Sequence, residues 1–464
     1  MPHLTILGAG AAGALTAINV LREARRRGAD LDVSIVAPEE SVGRGTAFGT
    51  SDPLHLLNVP STGMSALPEE PDHFDAWLAA QGITHPDGES LFASRRDYGR
   101  YLAELLEQEE AASAHLVTLH RVRALATAVR RDGARVRVET DRAGSLSADA
   151  VVVATGLPAA GDTWAPEALR AHERFVPDPW RAGALDALAQ DTEDVLVVGA
   201  GLTMVDVVLT LLATPGAPVR RVRAVSRRGK LPEVHRARAT APEIPDVAHW
   251  GSTLAELREH ATAHLARTEE ATGDWRAGVD GLRYRIIELW ERLGDADRNS
   301  FIAQHAGTWN ELRHRMPPSS ATSLESFEAK GRLTRAAAEV TDVEHLASGG
   351  LRVTTSDGAT REVGWVVNCT GPRADVSTLG NPLLDDLLSP HDGPALATLA
   401  TAGMGVRTRR GRLEDADGGI RAPVWTLGAL RRGELWESTS VPEIRVQARE
   451  LADHVLTHLE RAAG

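Results

Sequence analysis

A single cysteine, Cys369, stands in a chain of 464 residues. It leaves no intramolecular disulfide, no Cys-x-x-Cys redox pair and no cysteine-rich zinc site, so a reducing, cytoplasmic setting is expected. Lysine is nearly as scarce: Lys230 and Lys330 are the only two, and the positive charge is almost all arginine. No apolar run approaches the roughly 20 residues that cross a bilayer. The apolar N-terminus has no basic leader, so neither a signal peptide nor a membrane partner is expected. The histidines show no metal-ligand spacing, and no metal is expected. A net charge of −13 disfavours nucleic acid as a partner. The rest is typical of a soluble globular protein, with 42% apolar and 25% charged residues and length for two or three domains.

The first stretch that carries chemistry starts at Leu4. The apolar run Leu4–Leu7 ends in Gly8-x-Gly10-x-x-Gly13, and an Ala-rich helical pattern follows. Strand, tight turn and helix in that order make a dinucleotide cradle. Gly8 permits the turn, Gly10 lets a pyrophosphate approach, and Gly13 lets the helix sit close on the strand. The helix N-terminus then offers free N–H groups and a positive dipole end. The alternative is a tight turn in some other α/β protein.

A second strand, Val33–Val36, should end in an acid that holds the ribose. Ala37 stands there instead, followed by Pro38-Glu39-Glu40. Glu39 is the candidate ribose contact, or else a solvated loop acid. Residues 43–68 form a long Gly- and Pro-punctuated segment of the kind that carries function. Arg44 lies between two glycines and suits a pyrophosphate; otherwise it is a surface charge. Asn58 suits a ring edge; otherwise it caps a turn. Helices are expected at 72–80 and 95–110, strands at 121–129 and 134–140 joined by a hairpin, and a buried strand at 150–154.

A second nucleotide-type unit follows. The strand Asp194–Val198 runs into Gly199-Ala200-Gly201, and Met204 replaces the third glycine. The next strand, Val222–Val225, ends in Ser226-Arg227-Arg228-Gly229. Arginines at that strand end suit the 2′-phosphate of NADPH, where an acid would suit NADH. Two such units in one chain suggest FAD plus a nicotinamide cofactor.

Residues 235–335 read as helix-rich. Trp250, Trp275, Trp290 and Trp309 are expected in the core. Arg313-His314-Arg315 is either a solvated helix end or a receiver of an anion, and His235 and Arg236 carry the same ambiguity. Trp365–Pro372 echoes Val153–Pro158, with Thr-Gly closing each strand. The two look like crossovers between domains, and Thr155 at the first of them joins the cofactor set. The expected fold is therefore α/β with two dinucleotide-binding, Rossmann-like domains. FAD takes 1–160 and 368–464, and the NAD(P)H unit, 161–367, is inserted between them with a helical excursion at about 235–335. Cys369, inside an apolar run, reads as a small buried hydrophobe. Near the C-terminus, Ser440-x-x-Glu443 has the pattern of a capping box, with Pro442 in the first turn of a helix running to about 462. That N-terminus would favour the negative charge of a reduced flavin ring.

Together these residues resemble one family. Gly8–Gly13, Gly43-Arg44-Gly45-Thr46-Ala47-Phe48, His55–Pro60, Gly201–Asp206, Ser226–Gly229 with Leu231-Pro232 and His235, Asn368–Pro372, and Leu435–Ser438 with Val441–Arg445 are similar to the FAD/NAD(P)-binding flavin monooxygenases. That group includes FAD-dependent urate hydroxylase and nitrosuccinate-forming aspartate N-monooxygenases. Ala37 departs from its pattern. The resemblance implies that NAD(P)H reduces FAD, that O₂ adds to give a C4a-hydroperoxide, and that one oxygen passes to a nitrogen or carbon of a small polar substrate, either an amino acid or a purine-type ring. It implies Gly8, Gly10, Gly13, Glu39, Arg44, Thr155 and Gly428 for the cofactor FAD, and Asn58, Thr439, Ser440 and Val441 for its ring. Gly199, Gly201, Ser226, Arg227 and Arg228 would hold NADPH, with NADH as the second choice. Asn58, Arg431 and Trp436 are the candidate catalytic residues. The expected partners are the small-molecule substrate and O₂, with a homodimer admitted. A flavin disulfide reductase is disfavoured by the lone cysteine. A flavin oxidase or dehydrogenase and a flavin-binding sensor are the remaining alternatives.

Overall fold

The computed structural model describes residues 1–39, 41–84, 90–156, 160–373, 375–391 and 393–463. Glu40, Leu157 and Pro158 lie outside them. The apolar runs recognised in the sequence become the middle of a sheet, because a strand buried on both faces has no polar side to alternate with. β1 (His3–Leu7) leads through Gly8–Gly10 into α1 (Ala11–Arg27) and returns as β2 (Leu31–Ala37). α1 ends at Gly28, whose φ of 68° makes the left-handed cap, with three arginines in its last turn beside the dipole's negative end. After the short α2 (Gly45–Phe48) come α3 (His73–Ala80) and α4 (Arg95–Ser113), both close to expectation.

One expected element is corrected. The strand expected at 121–129 is two strands in two sheets: β3 (Val117–Arg123) and β4 (Ala126–Asp132). The chain turns at the fully buried Ala124, and the Asp141 carboxylate accepts the Leu125 N–H at 2.8 Å across the break. β4 forms a hairpin with β5 (Arg135–Thr140), then β6 (Ser145–Ala148) leads to β7 (Ala150–Val153).

A second set follows: α5 (Glu167–Arg170), β8 (Phe175–Val176), α6 (Asp186–Gln190), β9 (Val195–Val198), α7 (Leu202–Ala213) and β10 (Val222–Ser226). The helix-rich stretch then runs α8 (Leu254–Thr272), α9 (Trp275–Arg283), α10 (Ile286–Arg292), α11 (Asp295–Gln304), α12 (Ala306–Arg313) and α13 (Pro318–Ala329). β11 (Leu333–Ala337), the meander β12 (Val340–His345), β13 (Leu351–Thr355) and β14 (Thr360–Val363), and β15 (Trp365–Asn368) come next. The chain closes with α14 (Pro382–Leu388), β16 (Thr408–Arg409), β17 (Arg412–Leu413), β18 (Val424–Thr426), α15 (Arg432–Leu435) and α16 (Val441–Ala463).

The strands sort into two large sheets. One has the order β16-β17-β18-β7-β1-β2-β3, so the first and last parts of the chain share it; the other has the order β11-β10-β9-β15-β8. In the first sheet β18, β7, β1, β2 and β3 run parallel, and the second sheet is parallel throughout. α1, α4 and α16 pack on one face of the first sheet through Ile18, Leu102 and Val455. α7 covers one face of the second through Met204 and Val208. A further core belongs to the helical stretch, where Trp250, Trp290, Met404 and Trp436 meet.

Candidate nucleotide sites and a buried arginine cluster

The two glycine turns have the same geometry. Gly8 has φ +114° and donates its N–H to Val36 O at 2.9 Å; a Cβ there would meet Ala154 O at 2.5 Å. Gly199 has φ +112° and donates to Val225 O at 2.8 Å; its Cβ would meet Cys369 O at 2.2 Å. Each turn is therefore pressed between two parallel strands, and the left-handed backbone plus the facing carbonyl demand glycine. Gly13 is required for another reason: its Cβ would lie 1.9 Å from Gly8 O, so α1 rests directly on the turn.

Gly10 and Gly201 differ from these. Gly10 has φ −70°, and a Cβ there would have Gly45 Cα, 3.8 Å away, as its nearest neighbour. Gly201 has φ −83°, and a Cβ there would have no atom within 4 Å. Neither packing nor backbone conformation calls for glycine at either place. Both sit at the N-cap of their helix, with no side-chain cap and no acid in the first turn. Bare N–H groups and an uncompensated dipole end are what a phosphate uses.

The segment after β2 folds over the first turn. Gly43 donates to Ala9 O at 2.8 Å, which brings Arg44 to the mouth of α1. Arg44 is exposed, and its guanidinium has no hydrogen-bond or ion-pair partner among the described residues. Glu39 is exposed at the end of β2. Thr155 holds a buried Oγ1 with no partner. At the second cradle the two arginines separate. Arg227 is exposed and unpaired among the described residues. Arg228 is spent on the protein itself: it donates to Thr308 Oγ1 at 2.9 Å and forms an ion pair with Glu311, both on α12. Ser226 is also engaged, its Oγ accepting the Gly229 N–H at 3.0 Å. Of the three residues assigned to that strand end, the structure leaves Arg227 free.

Asn58 is half-buried, and its carbonyl lies 3.0 Å from His235 Nε2. Burial and the Arg315 charge push the His235 imidazole down to about 4, so the ring is neutral and Nε2 donates. Other contacts hold this loop and the start of α4 against α7. Thr210 donates to the Asp52 carboxylate at 2.6 Å, and Arg95 pairs with the buried Asp206 at 2.9 Å. Burial raises the Asp206 carboxyl, and Arg95 opposes that.

At the start of α16, Ser440 and Glu443 meet, but not as a reciprocal capping box. The Ser440 hydroxyl donates to the Glu443 carboxylate, which also pairs with Arg283 at 2.5 Å. The full box lies elsewhere, at Thr253 and Glu256 before α8. Thr439 is exposed and Val441 buried, while Gly428 donates its N–H to Gln447 at 2.9 Å.

The remaining candidates sit around a buried charge cluster. Arg313 and Arg315 are 4% and 2% exposed, so the reading of this basic run as a solvated helix end is wrong. Arg315 pairs with Asp280. Arg313 approaches Glu437 only to 4.0 Å, while Trp309 Nε1 donates to Glu437 at 2.7 Å. Burial pushes the Glu437 carboxyl up, but Arg313, His314, Trp309 and Arg283 outweigh it and hold the group below its ordinary value. Burial drives the His314 imidazole down to about 4. Trp436 is a core residue, stacked on Trp290 at 5.2 Å, with Arg432 4.9 Å above its ring and a backbone φ of +60°. Arg431 points elsewhere, pairing with Glu434 at 3.0 Å and lining a 360 Å³ pocket with Arg410, Thr426 and His454. Its neighbour Arg432 faces the cluster instead. Sequence reasoning missed Arg283, Arg432, Glu437 and Arg445 as members; Glu437 and Arg445 lie inside the motifs that carry the family resemblance, which was the available signal.

Among the described residues no group of His, Cys, Asp or Glu could hold a metal, and no helix is long and apolar enough to cross a membrane. Residues 5–158 match the family model described as FAD-NAD(P)-binding. No curated protein matches the sequence. Solved structures match nearly end to end. L-lysine 6-monooxygenase from Pseudomonas syringae superposes with a TM-score of 0.63 at 19% identity, covering 99% of this chain and 100% of that one. An ornithine N-hydroxylase from Kutzneria sp. 744, described with reduced FAD, NADP⁺ and L-ornithine, gives 0.61 at 16% identity, covering 99% of each chain. Thioredoxin reductase from Lactococcus lactis gives 0.50 at 11% identity, covering 99% and 100%. The chain thus has the two-dinucleotide-domain flavoprotein fold, shared here by a lysine monooxygenase, an ornithine N-hydroxylase and a thioredoxin reductase.

Proposed function

We propose that this chain is an FAD-dependent, NAD(P)H-consuming monooxygenase that adds oxygen to the nitrogen of an amino-acid-like amine. The reading rests on Gly10 and Gly201, two helix-capping glycines that the protein's own packing does not require. A Cβ at either place would occupy the space through which a pyrophosphate reaches the helix N-terminus. We assign FAD to the first cradle and NADPH to the second. The FAD unit then comprises 1–160 and 368–464, and the NAD(P)H unit 161–367.

In this reading Gly8, Gly10 and Gly13 shape the turn that receives the FAD phosphates, and Arg44 neutralises them. The orphan Thr155 hydroxyl suits the same ligand. Asn58, held from behind by His235, presents its amide to the ring edge. The backbone of Thr439–Val441 lies at the positive end of α16. Arg227 takes the 2′-phosphate. Bound FAD, once reduced, supplies the activation of O₂. Disulfide reduction is disfavoured because Cys369 has no second thiol, is 3% exposed, and is held far above the usual thiol range by burial. The amine hydroxylases that share the whole fold support nitrogen as the oxygen acceptor.

The test is NADPH oxidation by the flavin-loaded protein with a panel of amino acids, amines and purines, with hydrogen peroxide counted alongside. The expected result is faster oxidation with an amine and little peroxide. Stimulation by a purine alone would replace N-oxygenation with ring hydroxylation. Electrons passing wholly to peroxide, unstimulated by any compound, would overturn the proposal in favour of an oxidase or a sensor.

A further inference from the structure

α7 starts at the Gly201 cap of the second cradle, and it is mostly apolar. Beyond its first turn two polar residues break that pattern, Asp206 and Thr210. They stand at i and i+4, so they share one face of the helix. Both reach the segment that carries Asn58, one directly and one through Arg95 at the start of α4.

The direct contact has a fixed direction. The Thr210 hydroxyl donates to the Asp52 carboxylate at 2.6 Å. Thr16, Thr272 and Thr322, inside other helices, instead donate to their own backbone carbonyl four residues back. A carboxylate cannot donate, so the Thr210 oxygen offers only lone pairs to His55, 2.8 Å away. His55 Nε2 therefore carries the hydrogen and donates it. In the neutral ring Nδ1 then accepts the Thr50 hydroxyl at 2.8 Å, and the Thr50 oxygen accepts the Asp52 N–H at 3.1 Å. The chain of bonds returns to the residue where it began, and each member has one role.

Arg95 makes the second contact. Its Nε donates to Leu56 O at 3.2 Å, its guanidinium lies 5.6 Å from the Trp180 ring centroid, and it pairs with the buried Asp206 at 2.9 Å. A carboxylate buried in an apolar helix is costly unless it is paired. Leu54, in the same loop, packs against the core beneath α7. Asn58 follows a few residues later, with its carbonyl held by His235.

We propose that Thr210, His55 and Asp52, with the Arg95–Asp206 pair beside them, are positioning residues that lock the Asn58 loop to α7 and so set the nicotinamide against the flavin ring. The inference rests on the monooxygenase reading and deepens it. In that reading α7 holds NADPH by its N-terminus, and Thr210 lies within about three turns of that end. Asn58 holds the ring of FAD. Reduction passes one hydride, with both its electrons, from NADPH to the oxidised ring and leaves NADP⁺. Its rate depends on the gap between the two rings much more steeply than the binding of either cofactor does. An offset of 1 Å can cost on the order of 100-fold. Directed hydrogen bonds suit that task, because they have one register where apolar contacts can slide.

The test compares the flavin-loaded, full-length protein with Thr210→Val, which keeps the shape and loses the hydroxyl, and with Thr210→Ser, which restores the hydroxyl. NADP⁺ is titrated by calorimetry while the visible flavin spectrum is followed, and flavin reduction is timed without oxygen at saturating NADPH. In the parent protein NADP⁺ should perturb the flavin spectrum. Thr210→Val should keep its flavin and its NADP⁺ affinity, lose most of that perturbation, and be reduced at least tenfold more slowly. Thr210→Ser should recover both to within about twofold. An unchanged rate and spectrum in Thr210→Val would overturn the lock. So would a serine variant that behaves like valine, since packing and not the hydroxyl would then matter. A parallel loss of NADP⁺ affinity would make this a binding contact and also overturn it. If NADPH fails to reduce the parent protein, the monooxygenase reading fails, and the NADP⁺ spectrum decides the lock alone: a perturbation lost in Thr210→Val keeps it, and none in the parent removes it. Should Thr210→Val yield no protein, Thr210→Ala removes the same hydroxyl with the best helix former and should show the same losses.

Discussion

The two glycine turns are near copies, yet they meet different surroundings. Around the first, α1 rests on the turn through Gly13, and the 43–45 segment folds over it until Gly45 and Gly10 touch. Around the second, Met204 occupies the third position and is fully buried in the core beneath α7. A Cβ built at Gly201 would have no atom of the described residues within 4 Å. A covered turn suits a nucleotide that stays, and an open one suits a nucleotide that comes and goes. The difference also separates what the turn needs from what the helix needs. Both turns require their first glycine, whereas the third is required only where the helix lies on the turn itself.

Exchanging the third residues is the severest way to break this comparison. In Gly13→Met the Cβ would fall on the Gly8 carbonyl, and α1 would have to lift from the sheet. We expect little soluble protein and no flavin absorbance near 450 nm. The reverse change, Met204→Gly, meets no clash. It empties a buried side chain, for about 2–5 kcal/mol, and places glycine in a helix, for about 1 more. Flavin content should survive while the melting temperature falls. A normal yield of yellow Gly13→Met protein would show that the close packing is dispensable.

The two buried histidines His235 and His314 offer a smaller lever, through pH. His235 and His314 have imidazoles near 4 in the folded chain and near 6.5 when exposed. Between those values the unfolded state takes up protons that the folded state refuses. Stability is therefore fully present above about 6.5 and falls as pH drops toward 4, by on the order of 3 kcal/mol for each ring. Urea midpoints measured from pH 7 to 4.5 should decline, and His314→Gln should remove part of the slope. A flat wild-type profile would show that neither imidazole is held neutral by the fold.

How much of this was legible beforehand follows from where the information lies in the chain. The cradles are continuous stretches, and their glycines report backbone constraints that hold at any tertiary position. The strands 150–153 and 195–198 announced themselves because both faces are buried. The break at Ala124 was invisible, since the apolar alternation runs on through it and only the distant Asp141 marks the turn. The arginine cluster was illegible for two reasons. Its members come from α9, from the end of α12 and from residues 432–445, and no local pattern joins them. Arginine is also so abundant here that no single position stands out. Arg431 and Arg432 illustrate this: adjacent in sequence, they face a different pocket and the cluster respectively.

The mildest test returns to the strand ends that follow the two turns. Here β2 offers the exposed acid Glu39, and β10 offers two arginines of unequal freedom. Arg228 already spends its charge on Glu311 and Thr308, so its removal should disturb α12 more than the cofactor. Arg227 has no such commitment. A charge-assisted contact to a phosphate contributes roughly 1.5–3 kcal/mol, about 10- to 100-fold in affinity. Arg227→Ala should therefore raise the Kd for NADPH by that factor and leave NADH nearly unchanged, whereas Arg228→Ala should lower the melting temperature with a lesser effect on either. Equal losses of NADPH and NADH in Arg227→Ala would remove the 2′-phosphate from this strand end. The second cradle would then recognise its dinucleotide through Gly201 and the N-terminus of α7 alone.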